Sequence, residues 1–156
     1  MTRQVLREAT AFELSSSGRG AIGGDSVAAL AANFSHVQLF NPASSSVNLV
    51  IEKISVTAGA ANALVDLRSL TSALTTLSNN ISNKLFKAST PVGEIRTQQN
   101  ASALGILITP LGATQEGLTE VFAGTLPFIL PPSNGVLIVP QTANQAITVK
   151  FEWVEE

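Results

Sequence analysis

Few residues of this chain have the chemistry of a catalytic base or nucleophile. His36 is the sole histidine, cysteine is absent, and the two aspartates are Asp25 and Asp66. A histidine that acts as a general base needs a carboxylate to orient it, and neither aspartate is close to His36 in the sequence. We therefore interpret His36 as a residue at the start of a strand that makes an ordinary hydrogen bond.

The glutamates offer two groupings that could supply paired acids. Glu116 and Glu120 are four residues apart, and Glu152, Glu155 and Glu156 lie together near the C-terminus. A glycosidase can draw its two acids from distant strands, so spacing alone does not exclude one. We favour the interpretation that the C-terminal acids keep a terminal strand soluble and unpaired.

A glycine motif occurs near the N-terminus, where Gly18, Gly20 and Gly23 match the pattern GxGxxG. Glycines that hold a phosphate follow directly on a buried strand, whereas residues 15–17 here are all serine. No hydrolase, metalloprotease, P-loop or calcium-loop motif is present in the sequence. The chain is therefore predicted to be no enzyme and to have no catalytic residue, metal ion or cofactor.

Composition excludes two classes of partner. Charged residues make up 13% of the 156 residues, about half of the roughly 25% that is usual. A net charge of −2 argues against nucleic-acid binding, and no apolar run approaches the length of a membrane helix. The single Trp153 is in phase with Phe151 in an alternating segment, so we expect it in the core rather than as a platform for sugars.

The elements that would position these residues are short strands separated by turn residues. The clearest is the C-terminal segment, where apolar residues at 147, 149, 151 and 153 alternate with polar ones. Val136–Val139 resembles a strand buried on both faces and closed by Pro140, and a phase shift at Glu52 and Lys53 predicts a β-bulge. We expect strands that end near Arg68 and at Pro110, and another over residues 120–126.

These features predict an all-β fold, an antiparallel β-sandwich with jelly-roll-like architecture and an extended N-terminal arm. We place the arm at residues 1–33 and the sandwich domain at residues 34–156. Glycine and serine are frequent in the arm, and Asp25 or Ser26 could cap a helix of about two turns there.

Three of the nine basic residues, Arg3, Arg7 and Arg19, lie in the arm. Two interpretations are open for them. One is a disordered tail, which is common at chain termini. The other is a partner-binding segment that becomes ordered when its arginines meet carboxylates on another protein. If the arm binds a partner, we expect deletion of residues 1–24 to abolish that attachment while leaving the domain folded.

Several turn and strand segments together resemble small virion proteins of tailed bacteriophages. The resemblance spans most of residues 36 to 154 and rests on segments 36–46, 50–54, 93–97, 129–132, 135–139 and 149–153. It implies a β-sandwich on the exterior of the particle, either as a capsid cement (decoration) protein or as a small tail or fibre component. It transfers no catalytic residue, because these segments are structural turns and strands.

The expected function is that of a non-enzymatic virion protein that binds the capsid exterior and stabilises neighbouring shell subunits. Its partners would be the major capsid protein or other virion proteins, and the chain itself would form a dimer or trimer. A surface with few charges favours this role, because charged residues are depleted in the cores of interfaces. The alternative is a tail or fibre domain that binds a glycan receptor on the host surface.

Overall fold

The computed structural model describes residues 19–59, 63–84, 90–114, 118–120 and 128–156, with the backbone alone at 63, 112–114 and 118–120. These residues form twelve strands in two antiparallel sheets. None of them forms a helix, and so none belongs to a helix that could cross a membrane. The strands are β1 (Gly20–Val27), β2 (Phe34–Asn41), β3 (Leu49–Ala58), β4 (Ala63–Leu70), β5 (Thr76–Ser78), β6 (Ile81–Asn83), β7 (Glu94–Asn100), β8 (Ile106–Thr114), β9 (Leu118–Glu120), β10 (Phe128–Leu130), β11 (Asn134–Pro140) and β12 (Ile147–Glu155).

The strand order is that of a jelly roll. Sheet A has the order β10-β3-β12-β1-β6, and β9 pairs with β3 along the same edge as β10. Sheet B has the order β5-β7-β2-β11-β4-β8. The four-stranded groups β1-β12-β3-β10 and β2-β11-β4-β8 form a double-sheet jelly roll, and β5 to β7 extend both sheets at one side. The prediction of an antiparallel, jelly-roll-like β-sandwich is confirmed.

The predicted boundary between arm and domain at residue 34 needs correction, because β1 already belongs to the sandwich. This strand lies inside sheet A, paired with β12 on one side and β6 on the other. The helix predicted near Asp25 is also wrong, since β1 extends to Val27 and a turn at Ala31 and Ala32 leads into β2. Residues 1–18, which include most of the predicted arm, lie outside the described residues.

Glycine in β1 serves close packing rather than flexibility. A Cβ atom on Gly23 would lie 2.8 Å from Cγ1 of Ile95, which belongs to the opposite sheet. A Cβ atom on Gly24 would collide with the carbonyl oxygen of Val149 on β12. The same composition that predicts a flexible segment therefore lets β1 approach its neighbours closely.

The core lies between the two sheets. Strand β12 contributes to it because apolar and polar residues alternate strictly along this strand. Its inward side chains are at most 1% exposed, as the sequence predicts, and Trp153 is among them. The bulge predicted in β3 is also confirmed, because Lys53 is opposite Glu152, Ile51 is opposite Trp153, and Glu52 has no partner on β12. Leu49 and Ile51 before the bulge, and Ile54 and Val56 after it, therefore all point into the core.

A second apolar cluster covers the other face of sheet B. Leu74, Leu137 and Val139 are its buried members, so β11 is buried on both faces as predicted. Gln38 of β2 ties the covering loop to the sheet, because its side chain accepts a hydrogen bond from the Leu74 N–H (2.8 Å) and donates one to the Ser72 carbonyl (2.9 Å).

One predicted strand limit is wrong, and another predicted strand lies mostly outside the described residues. Strand β8 continues through Pro110 to Thr114 instead of ending at the proline. Proline is tolerated there because β8 is the edge strand of sheet B, where one side of the backbone needs no ladder hydrogen bond. Of the strand predicted over residues 120–126, only Glu120 is described, as the last residue of β9.

Candidate functional site

His36 is fully buried in β2 and makes hydrogen bonds through both ring nitrogens. Nε2 accepts from the backbone N–H of Leu104 (3.0 Å), so Nδ1 must carry the proton that it donates to the carbonyl of Gln98 (3.3 Å). Burial lowers the pKa of His36 below its usual value, and the positive charge of Arg68 lowers it further. The predicted hydrogen bond is confirmed, and the ring is a neutral link between backbone segments.

Two of the three C-terminal acids, Glu152 and Glu155, make structural contacts, and the third, Glu156, is exposed. Glu152 lies 3.4 Å from Nζ of Lys84 and 3.6 Å from Nζ of Lys150, on the polar face of sheet A. Glu155 accepts hydrogen bonds from the backbone N–H groups of Val92 (2.6 Å) and Gly93 (3.1 Å). The prediction of an unpaired terminal strand is wrong, because β12 is paired on both sides with β1 and β3.

The other predicted acid pair and the glycine motif give no assembled site. Glu116 lies outside the described residues, and only the backbone of Glu120 is described. Gly20 and Gly23 belong to strand β1, so they do not form the loop at a helix start that a phosphate site requires. Within the described part of the chain, no three His, Asp or Glu side chains lie together in a way that could hold a metal ion.

Of the three arginines proposed to bind a partner, the structure describes one. Arg3 and Arg7 lie outside the described residues. Arg19 is exposed and directly precedes β1, and its carbonyl accepts a hydrogen bond from the N–H of Glu155 (2.9 Å). Partner binding by these arginines stays a prediction.

A shallow depression of about 570 Å³, here called the polar trough, lies beside β1 where it meets β6 and β12. Asp25 accepts a hydrogen bond from Asn80 (3.3 Å), and the hydroxyls of Ser26 and Thr148 are 2.7 Å apart. Carboxylate, amide and hydroxyl groups of this kind can bind a ligand rich in hydroxyls. The trough is lined by Ile22, Gly23, Gly24, Asp25, Ser26, Asn79, Asn80, Ile81, Ser82, Thr148, Val149 and Lys150.

Large apolar side chains are exposed at the opposite edge of the sandwich. Ile106, Leu107 and Ile108 of β8 are 76%, 48% and 42% exposed, and Ile129 of β10 is 58% exposed. Strand β8 is the edge of sheet B, β10 is at the edge of sheet A next to β3, and β3 contacts β8 across the sandwich. The two edges thus flank the same side, and we call these four residues the lateral apolar surface.

The backbone of β8 is irregular where these side chains are exposed. Leu67 of β4 is opposite Thr109 while Arg68 is opposite Leu107, so Ile108 is a bulged residue without a partner on β4. Pro110, two residues further, has no N–H to donate. Bulges and prolines on edge strands hinder further strands from adding to a sheet. The surface therefore offers side chains to a partner rather than a continuous hydrogen-bonding edge.

Sequence reasoning did not find the lateral apolar surface. Gly105–Thr109 has the composition of a buried strand, and its exposure depends on which strand comes to lie at the edge of the sheet. The available signal was Pro110, because proline within a strand pattern marks an edge strand. This edge strand is unusually apolar, because none of residues 105–111 is charged.

Comparisons with known proteins add no relative, since no family model, curated protein or solved structure matches the chain. The resemblance to phage virion proteins accordingly stays a prediction.

Proposed function

We propose that this chain is a non-enzymatic structural protein of a bacteriophage virion, which binds the capsid exterior and stabilises neighbouring shell subunits. The observation that best supports the proposal is the lateral apolar surface. Ile106 is 76% exposed, and two further large apolar residues follow it directly. Contiguous apolar side chains at a surface are typical of sites that contact other proteins.

Covering this surface would favour binding by removing apolar side chains from water. Each Å² of apolar surface removed from water contributes roughly 25 cal/mol. The contact would need little desolvation of charge, because residues 105–111 include no charged side chain. On a symmetrical shell, modest contacts of this kind are repeated many times and add up.

The other groups of the molecule are consistent with a structural role. The side chains of His36 and Glu155 both form hydrogen bonds with backbone groups, so each has a structural role in the fold. The jelly-roll order is used by viral capsid proteins and also by lectins. Because one fold serves many functions, this order supports the proposal only together with the surface.

The direct test is binding of the purified protein to empty, expanded capsids. We expect it to attach and to raise the melting temperature of the particles. Ile106→Asp should weaken attachment, whereas Leu77→Asp should not. Leu77 is a matched control, since it is 52% exposed and lies on β5 at the other edge of sheet B. Absence of binding by the unaltered protein would contradict the proposal.

The polar trough favours a second candidate function, which is recognition of a host-surface glycan by a tail or fibre protein. Asp25, Asn80 and Thr148 present groups that can hydrogen-bond to sugar hydroxyls. A glycan array tests it, with Asn80→Ala expected to reduce retention and Ser44→Ala, far from the trough lining, expected to have no effect. Retention on the array without capsid binding would favour this function over the first.

A further inference from the structure

We propose that His36 holds residues 101–105 against sheet B at neutral pH and releases them in acid. These residues, here called the 101–105 loop, join β7 to β8. The inference goes beyond the proposed function and does not depend on it. It is carried by the hydrogen bonds that His36 and Arg68 both make to the backbone of this loop.

The 101–105 loop covers part of the second apolar cluster. Its Ala103 and Leu104 side chains pack against this cluster, to which the buried Leu137 belongs. Arg68 of β4 donates from Nε to the carbonyl of Leu104 (2.8 Å) and from Nη2 to the carbonyl of Gly105 (2.9 Å). Release of the loop would therefore expose apolar side chains that are buried at neutral pH.

The bond between the loop and His36 requires a neutral ring. Nε2 accepts a hydrogen bond from the N–H of Leu104 (3.0 Å), and Nδ1 bonds to the carbonyl of Gln98 (3.3 Å). A protonated imidazole has an N–H at both nitrogens and accepts at neither. Protonation therefore places two donors against each other, and a buried N–H without an acceptor destabilises the closed loop.

Arg68 adds to the effect of acid. Of the described charged residues, it is the one whose charge acts on the His36 ring, and like charges disfavour protonation. Asp66 lies on the same strand but pairs with Arg68 at 3.2 Å, so its carboxylate is already bound to a cation. A protonated ring would thus weaken its own bond to the loop and lie beside the second side chain that holds the loop.

The other elements around His36 bring no free carboxylate to the ring. Neither β11 nor the 101–105 loop includes a charged residue. On β7, Glu94 and Arg96 pair with each other at 2.7 Å, and Arg96 donates to the carbonyl of Leu74 (2.9 Å). Among the described residues, the surroundings of His36 therefore stabilise its neutral form.

The direction of the pH response follows from linkage. Burial and the charge of Arg68 lower the pKa of His36 in the closed form, whereas a ring in water has a pKa of about 6.5. The open form binds the proton more readily, so opening should increase below about pH 6.5, by at most about tenfold for each pH unit. It should level off below the pKa of the closed form. His36 is the sole histidine and cysteine is absent, so His36 is the side chain expected to titrate in this range.

Hydrogen exchange of single backbone amides in the full chain, followed by NMR from pH 7.5 to pH 5, tests the inference. After correction for the intrinsic pH dependence of exchange, we expect the Leu104 amide to exchange at least about fivefold faster at pH 5. The Leu74 amide is a matched control, because it also bonds to a β2 side chain, the Oε1 atom of Gln38 (2.8 Å), which does not titrate. Its corrected rate should stay constant. In His36→Gln the corrected rate of Leu104 should not depend on pH.

Three outcomes would overturn the inference. One is an unchanged rate at Leu104, another is an equal acid response of Leu104 and Leu74, and the third is a pH response that persists in His36→Gln. If circular dichroism shows that this variant does not fold, the C2 proton of His36 in the unaltered protein gives a second test. Its titration midpoint should coincide with the pH at which exchange of Leu104 levels off, and a mismatch would also overturn the inference. None of these measurements involves capsids, so failure here leaves the proposed function standing.

Discussion

His36 links two distant backbone segments to β2. Its ring bonds to Gln98 and Leu104, which are 62 and 68 residues away in the sequence. The sequence alone predicts that a solitary histidine makes an ordinary hydrogen bond, and this is confirmed. It does not identify the partners, because they are brought to the ring by the pairing of β2 with β7 and by the loop that follows β7.

Acid should weaken the fold through His36. Its pKa is lowered in the folded protein by burial, so the unfolded chain binds the proton more readily. Stability is therefore fully present above the ordinary pKa of about 6.5 and is lost as the pH falls toward the folded-state pKa. We expect the free energy of unfolding, measured with urea from pH 8 to pH 5, to fall more steeply in the unaltered protein than in His36→Gln.

The variant itself carries a cost at neutral pH. If the glutamine amide does not reach both backbone groups, the buried N–H of Leu104 loses its acceptor, which costs about 1–3 kcal/mol. Equal pH dependence in the two proteins would contradict the assignment of the acid sensitivity to His36.

Gly93 lies where the surrounding side chains leave no room for a Cβ atom. A Cβ atom there would lie 2.9 Å from Cδ1 of Leu49 and 3.0 Å from Nε1 of Trp153. We expect Gly93→Ala to lower the free energy of unfolding by about 1–3 kcal/mol through overpacking. In a double-mutant cycle the loss should be smaller when Trp153→Phe has already made room. An equal loss in both backgrounds would mean that Trp153 is not the obstacle.

At the scale of elements, β3 and β12 show which structural features the alternation of apolar and polar residues can predict. The phase shift at Glu52 predicts the bulge, and the alternation in β12 predicts its buried face, because both are local properties of one strand. Strand β1 was missed because glycine and serine resemble a flexible tail, and its role depends on the close approach of β12 and β6. The trough and the lateral apolar surface were missed for the same reason, since each joins segments distant in sequence.

Deletion of Glu52 should be tolerated, which is unusual for a deletion inside a strand. Removing the bulged residue leaves Ile51 opposite Trp153 and Lys53 opposite Glu152, and the regular alternation still points Ile51 and Ile54 inward. We expect a loss of about 1 kcal/mol, mainly from the partly buried ion pair between Glu52 and Lys84.

Deletion of Ser55 is the matched control. It makes Ile54 and Val56 adjacent, so their side chains would point to opposite faces of the sheet. The free energy of unfolding should therefore fall by more than about 4 kcal/mol, or cooperative unfolding should be lost. Urea denaturation of both deletion variants checks the pair. Similar losses in the two would show that the bulge does not set the phase of β3.

The N-terminal limit of the domain can be tested by truncation. A chain that starts at Arg19 keeps all of β1, so we expect its thermal unfolding to stay cooperative. A chain that starts at Asp25 lacks Gly20–Gly24 and uncovers the inner flank of β12, so it should lose cooperative unfolding. This reverses the expectation from the sequence that the domain stays folded without residues 1–24. If the chain that starts at Asp25 keeps its fold, then β6 or solvent can replace β1 beside β12.

At the scale of the whole molecule, the two candidate surfaces lie at opposite edges of the sandwich. The lateral apolar surface is at the β8 and β10 side, and the polar trough is at the β1 and β6 side of sheet A. An assembly that covers the first surface leaves the second open to solvent. Binding of protein partners and of a hydroxyl-rich ligand would therefore not compete.

The pairing of the first and last strands also governs when the protein can fold during synthesis. Ser26 of β1 bonds to Thr148 of β12, 122 residues later. At 5–20 residues per second, a ribosome needs about 6–24 s to add that length of chain. Until β12 emerges, β1 and β3 lack the strand that lies between them, and their apolar faces stay open to chaperones or to other nascent chains. Slower translation should lengthen this exposed interval and lower the yield of soluble protein.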